Sequence, residues 1–268
     1  MFQTCKKLFL KILYRGQWIL MYHFNESPSK SFSNFQKLIP PKDRFWADPF
    51  AINRNGKHYL FFEELMYKTN KGHLSVMEIE KNGKIHSPVK ILDKPYHLSY
   101  PFLFEYEDQL YMIPESWEAK TIQLYECADF PFQWKFKMNL MEGLSAADTT
   151  LFFQNDKWWL FTAIDKKQKD ALDDALYLFY ADTPLTNNWV SHPKNPIVTD
   201  IAKARPAGNL FFEDSKIIRP SQDCSKAYGY AFNFNEIQVL TETDYQERLI
   251  QKIKPDWEQK VKRTHTYN

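Results

Sequence analysis

The sequence has little of what announces the familiar chemistries. Its 268 residues include only 7 glycines, and they hold no Gly-rich phosphate loop, no GxSxG, no HExxH and no histidine pair at metal-ligand spacing. No metal and no cofactor is therefore expected, and the seven dispersed histidines read as surface or strand-packing residues. Cys5, Cys127 and Cys224 form no CxxC and cannot all pair, which fits packing roles in a reducing, cytoplasmic setting rather than a disulfide framework. An excess of one charge is missing too: 35 basic against 33 acidic residues leave a formal net charge of +2, so no surface is implied that would track nucleic acid. No apolar run reaches the roughly 20 residues of a membrane span. The stretch Lys6 to Arg15 comes nearest, but Lys11 breaks it and no small-residue cleavage site follows. Residues 1–16 read as an N-terminal arm packed on the domain, with weak contact to a membrane surface as the alternative.

Aromatic residues, at 17%, are abundant and must be placed in a core or a site. Much of that material sits in a repeat. Asp48-Pro49-Phe50 leads through Asn55-Gly56 to Tyr59-Leu60-Phe61; Tyr100-Pro101-Phe102 leads through Glu107-Asp108 to Tyr111-Met112-Ile113; Asp148-Thr149-Thr150 leads through Asn155-Asp156 to Trp159-Leu160-Phe161; and Ala207-Gly208-Asn209 leads through Asp214-Ser215 to Ile218-Arg219-Pro220. The intervals Asp48 to Tyr59, Tyr100 to Tyr111, Asp148 to Trp159 and Ala207 to Ile218 are all 11 residues, with the polar pair always 7 residues after the first member. Each unit predicts a β-hairpin, Asn-Gly being the strongest short signal for a turn that needs positive φ at both central residues. A third strand follows each hairpin (Leu74–Ile79, Ile122–Cys127, Ala175–Tyr180, Tyr228–Phe232), and an edge strand is expected at Val89–Leu92 and Ile237–Leu240. Steps of 52, 48 and 59 residues between units match propeller blades with their loops. The expected fold is an all-β, five-bladed β-propeller over 17–247, its fifth blade closed by pairing Trp18–Tyr22 with the C-terminal strands. A charged tail, 248–268, completes the chain, with short helices expected around Asp244–Lys252 and Asp256–Lys262. A β-sandwich is the competing architecture, but it leaves the recurrence of polar residues at one blade position without a reason.

In a propeller the innermost strands converge on one channel, so Asp48, Tyr100 and Asp148 should meet there. Glu115 ends the second strand of its hairpin, Glu63 and Glu64 end the corresponding strand one blade earlier, and Arg205, Asn209, Arg219, Gln222 and Asp223 surround the fourth hairpin. Carboxylates, guanidiniums and rings around a concavity are what sugar recognition requires. Two carboxylates can further act as acid and base on a glycosidic bond. For any single carboxylate a turn cap is an equally good reading, Asp-Pro being a common turn former. Trp158-Trp159 and Tyr228-Gly229-Tyr230 read as core rather than as a sugar platform.

The set Phe45-Trp46-Ala47-Asp48-Pro49-Phe50, Phe62-Glu63-Glu64, Ser99-Tyr100-Pro101-Phe102, Met112-Ile113-Pro114-Glu115-Ser116, Ala147-Asp148-Thr149-Thr150, Ala204-Arg205-Pro206-Ala207-Gly208-Asn209 and Arg219-Pro220-Ser221-Gln222-Asp223 resembles the N-terminal propeller domain of plant glucosamine inositolphosphorylceramide transferase, also present in bacterial polysaccharide loci. More distantly it is similar to the five-bladed arabinanase, levansucrase and invertase superfamily. That superfamily implies a catalytic base or nucleophile at Asp48 and a pKa-tuning or substrate-holding role for Asp148. Its acid has no secure match, Glu115 being the first choice and Glu64 the second, and the invertase-type Arg-Asp-Pro and Glu-Cys signatures are absent. Related chains continue beyond His265-Thr266-Tyr267-Asn268, so a closing strand is expected past that stretch. The partner implied is a carbohydrate, a nucleotide-sugar or a lipid-linked glycan of surface polysaccharide metabolism, met by glycoside hydrolysis or glycosyl transfer. A non-catalytic glycan-binding module and a protein-interaction propeller are the alternatives.

Overall fold

The computed structural model describes residues 16–25, 29, 31–165 and 175–268. The N-terminal arm read at 1–16, packed on the domain or touching a membrane surface, lies, but for Gly16, outside the described residues. A two-stranded piece, β1 (Leu20–Tyr22) with β2 (Gln36–Leu38), comes first. Four four-stranded antiparallel blades follow, each built in chain order from the axis outward. Blade 1 is β3 (Arg44–Arg54), β4 (Lys57–Met66), β5 (Lys71–Ile79) and β6 (Val89–Leu92); blade 2 is β7 (Ser99–Tyr106), β8 (Gln109–Glu115), β9 (Thr121–Asp129) and β10 (Gln133–Glu142). Blade 3 is β11 (Ala146–Gln154), β12 (Lys157–Ile164), β13 (Leu176–Ala181) and β14 (Val190–Ser191); blade 4 is β15 (Phe211–Glu213), β16 (Lys216–Asp223), β17 (Ala231–Leu240) and β18 (Tyr245–Ile253).

The four repeated turn pairs make the hairpins as their chemistry dictates. Asn55 and Gly56, Glu107 and Asp108, Asn155 and Asp156, and Asp214 and Ser215 all have positive φ, the twist that lets a two-residue loop join right-handed strands. Blades stack through their aromatic faces: Phe50 and Phe61 of blade 1 share a buried cluster with Tyr100, Phe102 and Tyr111 of blade 2 and Leu151 and Leu160 of blade 3. Phe161 and Leu178 continue the stack to Ile237 and Tyr245 of blade 4.

Two expectations fail here. Among the described residues there are four blades rather than five, and the front strand does not pair with the C-terminal strands. Leu20–Tyr22 pairs instead with Gln36–Leu38, and its Leu20 is consumed in a cluster with Leu38, Trp46, Leu60 and Phe62 that covers blade 1. The tail forms no α-helix. Tyr245–Ile253 is the outer strand of blade 4, paired with β17, its ends Tyr245 and Ile253 buried and Gln246, Leu249 and Ile250 exposed. Ile237–Leu240, read as an edge strand, is the end of the long third strand β17.

The space between blades 4 and 1 is spanned by non-strand chain. Tyr267 packs among Phe32, Phe211, Phe232 and Phe234, its N–H donates to Ala207 O (2.7 Å), and the Asn268 side chain reaches Pro49 O (2.8 Å). Gly208 makes this approach possible. Its φ is 134°, and a Cβ there would lie 1.9 Å from Tyr267 O. Gly208→Ala is therefore expected to lift the 264–268 segment from the ring, read as faster amide exchange at Thr264 and Tyr267 than in wild type; unchanged protection would refute this close-contact account.

Candidate functional site

Asp48, Tyr100 and Asp148 occupy equivalent bulges. Ala47 pairs with Glu63 and Phe50 with Phe61, so Asp48 and Pro49 oppose one residue; Tyr100-Pro101 and Asp148-Thr149 repeat this. All three are left-handed, with φ of 50°, 44° and 52°. A left-handed non-glycine residue costs about 1–3 kcal/mol and persists where surrounding structure holds it, commonly at functional sites. Three blades thus carry the same strain at the same place, and it turns a side chain into the channel.

The partners of these residues define the site. Arg205 joins Asp148 and Glu115: its Nε donates to Asp148 Oδ2 (2.6 Å) and its Nη2 to Glu115 Oε2 (3.3 Å), an oxygen that also accepts the Asp148 N–H (3.2 Å). Gln222 Nε2 adds a bond to Asp148 Oδ2 (3.0 Å). Burial, with the Glu115 and Asp48 charges adding to it, holds the Asp148 carboxyl well above its usual range, although Arg205 pulls the other way. The Tyr100 hydroxyl exchanges a hydrogen bond with Thr150 Oγ1 (2.8 Å) and accepts the Gly208 N–H (2.9 Å), so it ties blades 2, 3 and 4 together across the axis. Asp48 Oδ1 accepts from Thr266 Oγ1 (2.6 Å) and lies 3.3 Å from His265 Nδ1. Burial depresses the His265 ring toward its neutral form against the pull of Asp48.

A third group of the notional set turns away from the channel, for a reason of strand parity. Glu64 faces opposite to Glu63 and accepts from Arg44 (2.9 Å), Trp46 Nε1 (3.0 Å) and Ser75 (3.0 Å), with His73 at 3.1 Å. Burial alone would raise this carboxyl, but those partners outweigh it and hold it at about 2. A depressed folded pKa contributes stability above the unfolded value, lost as pH falls from about 4.5 toward 2. Glu64→Gln should accordingly lower Tm near pH 7 and leave it nearly unchanged near pH 2.5, as read by thermal melts; equal losses at both pH values would contradict the ion-pair account. On β16, Arg219 forks onto both oxygens of Glu247 (2.8 Å each) and Asp223 pairs with Lys252 (2.7 Å), both on the face opposite Gln222. They hold blade 4 together rather than join the cluster. Asn209 meets the 264–268 segment through its N–H, which donates to Asn268 Oδ1 (2.6 Å).

Some residues of the site had no role, or no mention, in the sequence reading. Glu63 follows Asp48 by the 15 residues that separate Tyr100 from Glu115, and the registers Ala47 to Glu63 and Ser99 to Glu115 make the two glutamates equivalent. That spacing was a usable signal. Tyr228 is 40% exposed, with the Arg205 guanidinium 5.0 Å and the His265 ring 5.6 Å from its ring centre, and so is partly open where a core residue was expected. His265 and Thr266 carried no signal, since their contacts with Asp48 span more than 200 residues. Among the described residues a cavity of about 650 Å³ opens beside this cluster, walled by Trp18, Trp46, Phe232 and His265. Of the four channel carboxyls only Asp48 lines it, so a ligand entering there meets Asp48 first. No group of His, Cys, Asp and Glu suited to a metal ion occurs among the described residues.

Comparison with known proteins agrees with this architecture. The family model described as "Glucosamine inositolphosphorylceramide transferase 1, N-terminal" matches residues 35–268. Glucosamine inositolphosphorylceramide transferase 1 of Oryza sativa subsp. japonica is 34% identical over 206 residues, covering 76% of this chain; the chain spans only 27% of that relative's length. Zg3597, a family 117 glycoside hydrolase of Zobellia galactanivorans, superimposes with a TM-score of 0.60 at 10% identity, over 88% of this chain and 75% of that one. The catalytic domain of a Coprinopsis cinerea GH62 α-L-arabinofuranosidase gives 0.58 at 12% identity, over 85% and 74%. At those identities the two structures speak to the fold alone. The family match over most of the chain and the 34% identity show that this protein belongs to the glucosamine inositolphosphorylceramide transferase 1 N-terminal family.

Proposed function

We propose that the propeller binds a glycan over the channel mouth and handles a glycosidic bond there, with Asp48 as the base that deprotonates the incoming water or acceptor hydroxyl. The observation that carries this reading is the convergence of Asp48, Asp148 and Glu115 with Arg205 and Gln222 from separate blades, two of them on strained bulges. Asp148 and Arg205 hold the substrate and set the charge, and Tyr228 offers a face for the apolar side of a pyranose. The transferase name of the rice relative and the hydrolase titles of the structural neighbours support a carbohydrate, free or carried on a nucleotide or lipid, as the ligand. Direct attack on the anomeric carbon by the oxygen that Asp48 deprotonates, without a covalent intermediate, inverts that carbon.

Incubation with a panel of glycosides and nucleotide-sugars, followed by NMR of the anomeric signals, tests this: inverted product is expected, and retained product would exclude the direct mechanism. One observation favours the second reading, a non-catalytic glycan-binding module. Asp48 Oδ1 is already engaged by Thr266 and His265, as it would be in a purely structural role. Binding without turnover of any donor or glycoside selects that module.

A further inference from the structure

Four carboxyls, Asp48, Glu63, Glu115 and Asp148, are buried at the channel, and one guanidinium, that of Arg205, pairs with two of them, Glu115 and Asp148. Such a group cannot ionise fully, because each added charge raises the cost of the next. Their partners differ. Asp148 and Glu115 share Arg205, and Asp48 has Thr266 and His265. Among the described residues Glu63 has only the His97 ring beside it, whose pKa burial lowers but Glu63 raises on balance. Its buried Oε1 makes no well-formed hydrogen bond, and the His97 Nε2, 3.2 Å away, is the polar group beside it. A bare buried carboxylate oxygen is costly, whereas a carboxylic acid there is not.

His97 is itself fixed. Its Nδ1 accepts the Gly72 N–H (3.1 Å), which puts the proton of the neutral ring on Nε2, facing Glu63. Gly72 is what lets the chain close in: a Cβ there would sit 2.6 Å from Leu98 O and 2.8 Å from Glu63 Oε1. The His97 side chain is 21% exposed against 6% for Glu63, so the ring links the buried acid to solvent. Burial pushes the Glu63 carboxyl up to about 7, the Asp48 and Glu115 charges reinforcing this and His97 opposing it.

We propose that Glu63 is the proton donor of the channel, recharged through His97, and that it protonates the departing oxygen while Asp48 activates the nucleophile. This rests on the reading of the channel as a site of glycosidic chemistry. In the step, Asp48 carboxylate takes a proton from water, or from an acceptor hydroxyl, as its oxygen bonds to the anomeric carbon. The bond from that carbon to the leaving oxygen breaks with its electron pair on the oxygen, which takes the Glu63 proton. Asp48 ends protonated and Glu63 ionised, and exchange with solvent, by way of His97 for Glu63, restores both.

Two readouts test it. Infrared difference spectra between about pH 5.5 and 8.5 should show a protonated-carboxyl band that disappears with a midpoint near 7 in wild type and is missing from Glu63→Gln. In turnover, loss of a general acid costs about 10²–10⁴-fold, so Glu63→Gln should lose that on alkyl glycosides and within about threefold on nitrophenyl glycosides, whose leaving group needs no proton. His97→Gln should move the alkaline limb of the wild-type pH profile upward, since His97 holds the Glu63 value down; should Glu63→Gln not fold, the same upward move of the infrared band in His97→Gln decides. Equal losses on both substrate types, or no band belonging to Glu63, overturn the proposal. A wild type that turns over neither glycoside, with the band still present, removes the glycosidic reading and the donor role with it while leaving the Glu63 proton in place.

Discussion

Arg205→Met should destabilise the propeller by about 3–5 kcal/mol near neutral pH, the usual cost of removing one partner from a buried ion pair. The guanidinium is bonded to Asp148 and Glu115 at once, and nothing else cationic is bonded to either in the described residues. Its loss leaves two carboxyls facing each other in a dry channel. The pH dependence follows from Asp148. A carboxyl whose folded pKa is raised contributes stability below its unfolded value, near 3.8, and loses it as pH rises through the folded value. Arg205 pulls that folded value down, so Arg205→Met lifts it further and its penalty should grow as pH rises above about 4, measured by urea unfolding at each pH. Adding Glu115→Gln to that variant should return much of the loss at pH 8, because an amide keeps the shape without the charge. A pH-independent penalty, or no rescue, would contradict the shared-cation account.

Asp48→Asn should abolish turnover, a loss of at least about 10³-fold, while glycan affinity stays within about tenfold. The amide keeps an acceptor for Thr266 and the shape of the bulge, but it cannot take a proton. The φ of 50° at this position also suits Asn, which tolerates the left-handed region best among residues other than glycine. Folding should consequently be preserved, and Tm within a few degrees of wild type is the check. Turnover undiminished in Asp48→Asn would move the base elsewhere.

Much of the ring was legible because one turn type recurs. The two-residue turns fix register, and register fixes which side chain opens each inner strand, so equal spacings in the sequence became equal positions in space. What misled was parity. Glu63 and Glu64 are adjacent, as are Gln222 and Asp223, and alternate strand residues point to opposite faces; one member of each pair reaches the channel and the other braces its blade. Composition does not reveal that choice, although the interval from each bulge does. The fifth blade was over-read because apolar residues such as Leu20 can cover a sheet as well as extend one. The charged run Asp244–Lys252 read as helix, and pairing with β17 overrode that preference, as sheet context often does. The contact of Thr266 with Asp48 depends on the closing of the whole ring, and no local pattern encodes it.

The account stands on the claim that a sugar sits over the carboxyl cluster. A crystal soaked with a panel of mono- and oligosaccharides tests this most directly. The expected result is a pyranose or furanose against the Tyr228 face with a hydroxyl or glycosidic oxygen within hydrogen-bond distance of Asp48, and loss of that density in Arg205→Met. Sugar bound on the outer strands of the blades, with the channel unoccupied at saturating ligand, would contradict it.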